Sequence, residues 1–130
     1  MEEWLRTSTA HYHDPVKVMR ECRKLPDRFK LQTIYYANQL LLSCSTTCTS
    51  PSGTPLLLTA HLPLPFPIHP PTITVRPTKP SQPLPAWMRQ HVDTLGRLHL
   101  RLPVSDHGDI AMCVSAVEQW ISSEPVAVVR

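Results

Sequence analysis

Apolar residues recur along the chain with two different periods, and the switch between them marks out the elements. Val18, Met19, Cys22 and Leu25 fall three or four residues apart, with Lys17, Arg20, Glu21, Arg23 and Lys24 on the other faces. That spacing predicts an amphipathic helix of about three turns with a solvated basic side. Asp14 is its expected N-cap and Pro15 its first residue, because a proline there forgoes an N–H that has no helical partner anyway. Pro26 stops it. Upstream, Trp4 and Leu5 predict one anchoring turn. From Phe29 the period becomes two: Phe29, Leu31, Thr33 and Tyr35 alternate with Lys30, Gln32 and Ile34, as in a half-buried strand. Ala37-Asn38 predicts a turn, residues 40–48 a second strand, Pro51-Ser52-Gly53 another turn and residues 56–60 a third strand. Connections this short make an antiparallel meander the economical topology.

The stretch PLPFPIHPPTITVRP, residues 63–77, delivers the fourth strand, Thr72-Ile73-Thr74-Val75-Arg76. Proline fixes its own φ and biases the preceding residue toward extended conformations, so a rigid, semi-extended lead-in is expected. Phe66, Ile68, Ile73 and Val75 are residue types that belong to a core rather than to a disordered linker. Residues 78–90 read as a loop, in which Trp87 and Met88 either plug the core or form part of a binding surface. Residues 91–100 predict a turn and a short extended piece. Ile110, Cys113, Val114, Val117, Trp120 and Ile121 then share one helical face behind Asp109 as cap. Burying about five such side chains is of order 10 kcal/mol before entropy is charged against it, so this helix should be the main lid on the sheet. Glu124-Pro125 ends it, and residues 126–129 are an apolar tail.

Composition narrows the picture. A chain of 130 residues is enough for one domain, expected over 1–130 with an N-terminal turn or helix in 1–13 and a core in 14–130. Fifteen prolines against three glycines place loops and edges around short strands. The net charge of +3 is too small and too scattered for a nucleic-acid partner, and no apolar run is long enough to insert in a membrane. The amino terminus lacks an apolar signal core, which argues against secretion. Cys22, Cys44, Cys48 and Cys113 match no zinc or redox spacing and read as buried thiols of a reducing compartment, with no metal. No Gly-rich phosphate loop, paired carboxylates or Ser/His/Asp set can be assembled, so neither an enzyme nor a cofactor is expected. Strands in a run flanked by helices mean α+β, with helices on one face of an antiparallel sheet.

That order, with a strand entered through Phe66-Pro67-Ile68-His69-Pro70-Pro71, resembles the ubiquitin-conjugating-enzyme (UBC/UEV) fold. Three further motifs, Val75-Arg76-Pro77-Thr78, His91-Val92-Asp93-x-x-Gly96-Arg97-Leu98 and Ser123-Glu124-Pro125, are similar to the UEV domain of the ESCRT-I tumour-susceptibility, or vacuolar sorting, subunit. The resemblance covers about residues 14–130. The register that aligns Val92-Asp93 and Gly96 puts His91 at the Asn position of the active enzymes' His-Pro-Asn tripeptide and His99 at the thioester cysteine. A histidine there offers no thiolate nucleophile, so the resemblance implies a degenerate site of His91, Asp93 and His99 that binds rather than transfers. It also implies two ligands. A Pro-Thr/Ser-Ala-Pro-like peptide would lie along Thr54, Pro55, Thr78, Trp87, Met88, Pro125, Ala127 and Val128, and ubiquitin would meet the hairpin of Tyr36, Ala37 and Asn38 and the area around the degenerate site. Here Thr54-Pro55 replaces the family's Tyr-Asn pair, Ala127-Val128 replaces Val-Phe, and the hairpin is shorter. The implied setting is cytoplasmic and endosome-associated, with other ESCRT-I-like subunits as partners. The alternatives are an RWD-like scaffold domain and a UEV that escorts an active conjugating enzyme.

Overall fold

The computed structural model describes residues 2–36, 38–106 and 108–124, with the side chain of Tyr36 excepted. Helices α1 (Glu2–Thr9) and α2 (Pro15–Arg23) precede four strands, β1 (Lys30–Tyr36), β2 (Gln39–Thr49), β3 (Pro55–His61) and β4 (Thr72–Pro77). A single turn, α3 (Ala86–Arg89), and the long α4 (Ile110–Ser122) follow. The strands form one antiparallel sheet in the order β1-β2-β3-β4, the meander expected from the short connections.

The starts of α2 and α4 have a cause in the sequence. The Asp14 carboxylate accepts the Lys17 N–H at 3.1 Å, and Asp109 does the same for Met112 at 3.0 Å. The amino-terminal segment is a full helix rather than one turn, because Leu5 and Thr9, four residues apart, are both buried. Glu21 departs from the expected solvated face of α2: it is 2% exposed, with Lys24 at 3.0 Å and Lys17 at 3.4 Å closing over one carboxylate oxygen. A buried carboxylate needs such partners to offset the loss of water.

One face of the sheet carries the core. Leu42 and Cys44 of β2, Leu56, Leu58 and Ala60 of β3, and Ile73 and Val75 of β4 cluster with Val18 and Cys22 of α2 and with the buried stripe of α4. Tyr12 locks the edge of this core. Its hydroxyl donates to the Leu62 carbonyl at 2.7 Å and accepts the Leu42 N–H at 2.8 Å, joining β2 to the segment after β3. The outer face is polar yet closed: Ser43, Ser45, Thr59, His61 and Thr74 are all buried. His61 lies 3.0 Å from Ser43 Oγ and 3.3 Å from Thr74 Oγ1, and burial, aided by the charge of Arg76, pulls its pKa down to about 4.

Three local expectations change. The proline-rich lead-in is a pair of turns rather than an extended rod. The Phe66 N–H returns to the Pro63 carbonyl and that of Ile68 to Pro65, both at 2.9 Å, and the Phe66–Pro67 peptide is cis. The turns put Phe66 wholly into the core and leave Ile68 82% exposed, so only one of that pair is a core residue. In β1, an edge strand, Leu31 packs on the core but Tyr35 is 79% exposed. The two-residue connection between Tyr36 and Gln39 turns with Asn38 at φ 64°, and Gly53 supplies φ 96° for the next turn.

Candidate functional site

The three residues of the expected degenerate site meet in one loop built around Asp93. One carboxylate oxygen accepts the N–H groups of Leu95 (2.9 Å) and Arg97 (3.0 Å). The other takes Arg97 Nε at 2.7 Å and His99 Nε2 at 2.8 Å. Backbone bonds from His99 N–H to the His91 carbonyl (2.7 Å) and from Asp93 N–H to the Arg97 carbonyl (3.0 Å) close the loop. Gly96, at φ 83°, allows the reversal, and a Cβ there would stand 3.1 Å from Arg76 Nε. The His99 hydrogen bond above all, then the N–H groups and guanidinium of Arg97, hold the Asp93 carboxyl well below the usual carboxylate range. An ionised carboxylate beside an imidazole can orient a base, yet no thiol or hydroxyl stands against His99 among the described residues. Cys22, Cys44 and Cys113 are buried, and burial pushes the Cys113 thiol up to about 11, away from nucleophilic chemistry.

The loop is also part of the sheet's edge. Val75 N–H donates to the Gly96 carbonyl at 2.9 Å, Leu98 N–H donates to the Ile73 carbonyl at 2.8 Å, and Thr74 bridges to Arg97.

At the end of β3 and β4 where Leu56 pairs with Pro77, the structure brings together four of the expected peptide residues. Thr78, exposed at the end of β4, donates its N–H to the Pro55 carbonyl at 3.1 Å. Thr54 precedes Pro55 in the turn held by Ser50, whose hydroxyl accepts the Thr54 N–H at 3.1 Å. Trp87 is tied to that turn through Glu124, which in the sequence is marked as a helix terminator and as part of the Ser123-Glu124-Pro125 motif, with no sign of these partners. Glu124 Oε2 accepts the Trp87 indole N–H and Oε1 accepts the Ser52 N–H, both at 2.8 Å. These bonds, the indole first, lower the Glu124 pKa. The Trp87 ring is tilted on Trp120 of α4 at 4.8 Å between centroids, and His91 meets the same Trp120 edge-on at 5.6 Å. Met88 has another place: it is completely buried in the core, so it supports α3 and offers no surface to a peptide. Pro125, Ala127 and Val128 lie outside the described residues.

The hairpin marked for ubiquitin by Tyr36, Ala37 and Asn38 is tight. Ala37 and the Tyr36 side chain lie outside the described residues, and Asn38 is exposed. Beside them stands a cross-strand pair that the motifs did not point to: Tyr35 opposite Leu40, 79% and 43% exposed. Alternation placed Tyr35 inward; the signal for Leu40 would have been the register that a two-residue turn imposes. Among the described residues no cluster of three potential metal ligands occurs, and no helix is long and apolar enough to cross a membrane.

Neither a protein-family model nor a curated protein matches the sequence. Two solved structures match the fold. The yeast vps23 UEV domain, solved with a vps27 PSDP peptide, superposes with a TM-score of 0.68 over 98% of this chain and 94% of its own, at 19% identity. The Vps23 UEV in complex with ubiquitin gives 0.62 over 88% of each chain, at 21% identity. The chain has the fold of UEV domains, the ubiquitin-conjugating-enzyme-like α+β fold.

Proposed function

We propose that this protein is a catalytically inactive ubiquitin-conjugating-enzyme variant that binds ubiquitin and proline-rich peptides, and that it serves an ESCRT-I-type sorting assembly at endosomes. The observation that carries the reading is the meeting of Thr54, Pro55, Thr78 and Trp87 at one end of the sheet, on a fold otherwise solved with a PSDP peptide and with ubiquitin. A proline-rich segment enters such a site already extended, so little ordering entropy opposes it. The peptide contacts are Thr54, Pro55, Thr78, Trp87 and, from the tail, Pro125, Ala127 and Val128; Met88 is not among them. Ubiquitin meets the hairpin tip, where Tyr35 and Leu40 add an apolar pair to Tyr36, Ala37 and Asn38. His99 stands where the active enzymes carry cysteine, and its bond to Asp93 gives the loop a structural role in place of a thioester.

Interfaces of this size bind with Kd between about 1 mM and 1 μM, and a second contact in an assembly supplies the rest by avidity. Titration of the 15N-labelled chain tests both ligands. Ubiquitin should move the amides around Tyr35 and Leu40, and a Pro-Ser-Asp-Pro peptide should move Thr54, Thr78 and the Trp87 indole. Silence toward both at millimolar ligand overturns the reading. Formation of a ubiquitin thioester with activating enzyme and ATP would overturn the inactive assignment.

A further inference from the structure

The sheet has two edges, and the chain treats them differently. The edge of β4 is bonded by the loop of residues 91–99 through Val75, Ile73 and Thr74. β1 is the other edge, next to β2 in the sheet order. Its register with β2 identifies the backbone groups left over. Tyr36 pairs with Gln39 across a two-residue connection, which makes that pair a hydrogen-bonded one, and with it every second pair before it: Ile34 with Leu41, Gln32 with Ser43 and Lys30 with Ser45. The Leu42 carbonyl accepts the Leu62 N–H at 3.0 Å on the β3 side, which fixes the same alternation in β2. Leu31, Thr33 and Tyr35 therefore turn their N–H and C=O groups outward, and no bond beyond the strand ladder reaches them among the described residues. Edges of this kind are commonly blunted by a proline, a bulge or a central charge. β1 has none of these: its register is unbroken from Lys30 to Tyr36, and its single charge stands at the first position.

The edge is complementary to itself. In an antiparallel pair of two copies centred on Thr33, Leu31 stands opposite Tyr35, Gln32 opposite Ile34 and Thr33 opposite its own copy, so the outward groups of residues 31, 33 and 35 all find partners in one another. Lys30 faces Tyr36 rather than its own copy, so no like charges meet. The side chains agree with the backbone. Leu31, Thr33 and Tyr35 share one face, on which Leu31, the cross-strand partner of Cys44, packs on the core. At the far end of that face Tyr35 and its cross-strand partner Leu40 are 79% and 43% exposed. Pairing sets Tyr35 of one copy against Leu31 of the other, so that Cys44 and Leu31 of one chain continue into Tyr35 and Leu40 of the second as one apolar row. The exposed pair of each chain gains the cover it lacks alone.

We propose that β1 is a self-association edge, through which two copies of this chain pair antiparallel about Thr33 and join their four-stranded sheets into one. Each β1 edge is used up by the other, so the contact is two-fold and association stops at the dimer. A foreign strand could satisfy the backbone as well; the match of Leu31 to Tyr35 about a central threonine is what commits the edge to its own copy. The inference does not rest on ubiquitin binding. Because Tyr35 belongs to both surfaces, the dimer and ubiquitin would exclude each other.

Sedimentation equilibrium of the 130-residue chain alone, from about 10 μM to about 1 mM, tests it. One strand pair is a small contact, so a reversible dimer with a Kd on the order of 100 μM is expected. Amide exchange at Leu31, Thr33 and Tyr35 should slow as concentration rises. Thr33→Pro removes one outward N–H, which an edge strand tolerates, and should leave a folded monomer. Tyr35→Lys, at an exposed site, should weaken the dimer about tenfold or more. Circular dichroism melts verify that both variants fold. Oxidised glutathione should convert T33C, but not K30C, into a disulfide-linked dimer, two thiols giving one disulfide and two reduced glutathiones. Copies of residue 33 face each other in this register, whereas copies of residue 30 lie about 20 Å apart. A monomer at about 1 mM, a dimer that T33P leaves intact, cross-linking of K30C as readily as T33C, or growth beyond a dimer overturns the proposal. So does slow exchange at Leu31, Thr33 and Tyr35 that is independent of concentration, which would assign the edge to another part of this chain.

Discussion

Glu124→Gln isolates a contact that joins the β2–β3 turn, α3 and the end of α4. The wild-type carboxylate is 8% exposed and accepts two N–H groups at 2.8 Å, from Ser52 and from the Trp87 indole. Hydrogen bonds to a charged acceptor contribute about 1.5–3 kcal/mol each. Glutamine keeps one oxygen, so one bond survives as an ordinary neutral one of about 1 kcal/mol, while the other donor faces an NH2 group. Allowing for screening at the half-buried indole, the expected loss is about 2–4 kcal/mol, out of a total of about 5–15 for a domain. That corresponds to roughly 10 °C in Tm for a chain of this length. Urea and thermal unfolding followed by circular dichroism measure the loss, and the Trp87 indole N–H resonance reports the broken bond. The pH dependence adds a second reading. The folded Glu124 pKa lies below the ordinary glutamate value of 4.5, so the unfolded chain binds that proton more tightly and the contribution is complete above 4.5. Wild type and E124Q should differ most at neutral pH and converge as acid titrates the folded carboxyl. A loss under about 0.5 kcal/mol with an unmoved indole resonance would refute the view that Glu124 holds the β2–β3 turn and Trp87 together at the proposed peptide end of the sheet.

Three other outcomes follow from named contacts. Tyr12→Phe strands the Leu62 carbonyl and the Leu42 N–H inside the core and should cost about 2–4 kcal/mol in urea unfolding, with the fold retained. His61, neutral when folded with a pKa of about 4 against 6.5 for the free side chain, favours the folded state above pH 6.5 and loses that contribution as pH falls toward 4. The loss is at most about 3 kcal/mol, less with solvent screening, and H61Q should flatten that part of the stability–pH curve. Asn38→Val forces a β-branched residue to φ 64° and should destabilise the hairpin by about 1–2 kcal/mol, whereas Asn38→Gly should be close to neutral; hydrogen exchange along β1 and β2 distinguishes them.

The elements were legible because their signals are local. Asp14-Pro15 and Asp109 announce helices within four residues, and the turns at Asn38 and Gly53 require a left-handed conformation that those residues supply. What was not legible depends on residues far apart in the chain. Nothing near Tyr12 indicates that its hydroxyl will bridge Leu42 and Leu62, and a Glu before a proline reads as a helix end until Ser52 and Trp87 arrive beside it. Glu21 looked solvated because its neighbours are basic; those same lysines make its burial tolerable. Periodicity in β1 holds for Leu31, which packs on the core, but does not foretell the cover over the rest of this edge strand, where Thr33 and Tyr35 are exposed. The candidate sites divide in the same way: the loop of His91, Asp93 and His99 is contiguous in sequence, whereas the peptide end gathers residues from 50 to 124.

The fate of the loop at residues 91–99 follows from the need to manage a sheet edge. An unpaired edge strand offers its N–H and C=O groups to any passing chain. Here β4 is an edge, and the loop shields it by accepting from Val75, donating to Ile73 and bridging Thr74 to Arg97. Asp93 makes that shield rigid by gathering Leu95, Arg97 and His99 around one carboxylate. A nucleophile at position 99 would need freedom to meet a substrate carbonyl, whereas a histidine held at 2.8 Å by Asp93 fixes the loop. The loop's geometry therefore has a reason to exist without catalysis. Asp93→Asn should loosen residues 91–99 and speed amide exchange at Val75 and Leu98, where the loop pairs with β4. Unchanged exchange there would mean that the edge is held by something other than this carboxylate.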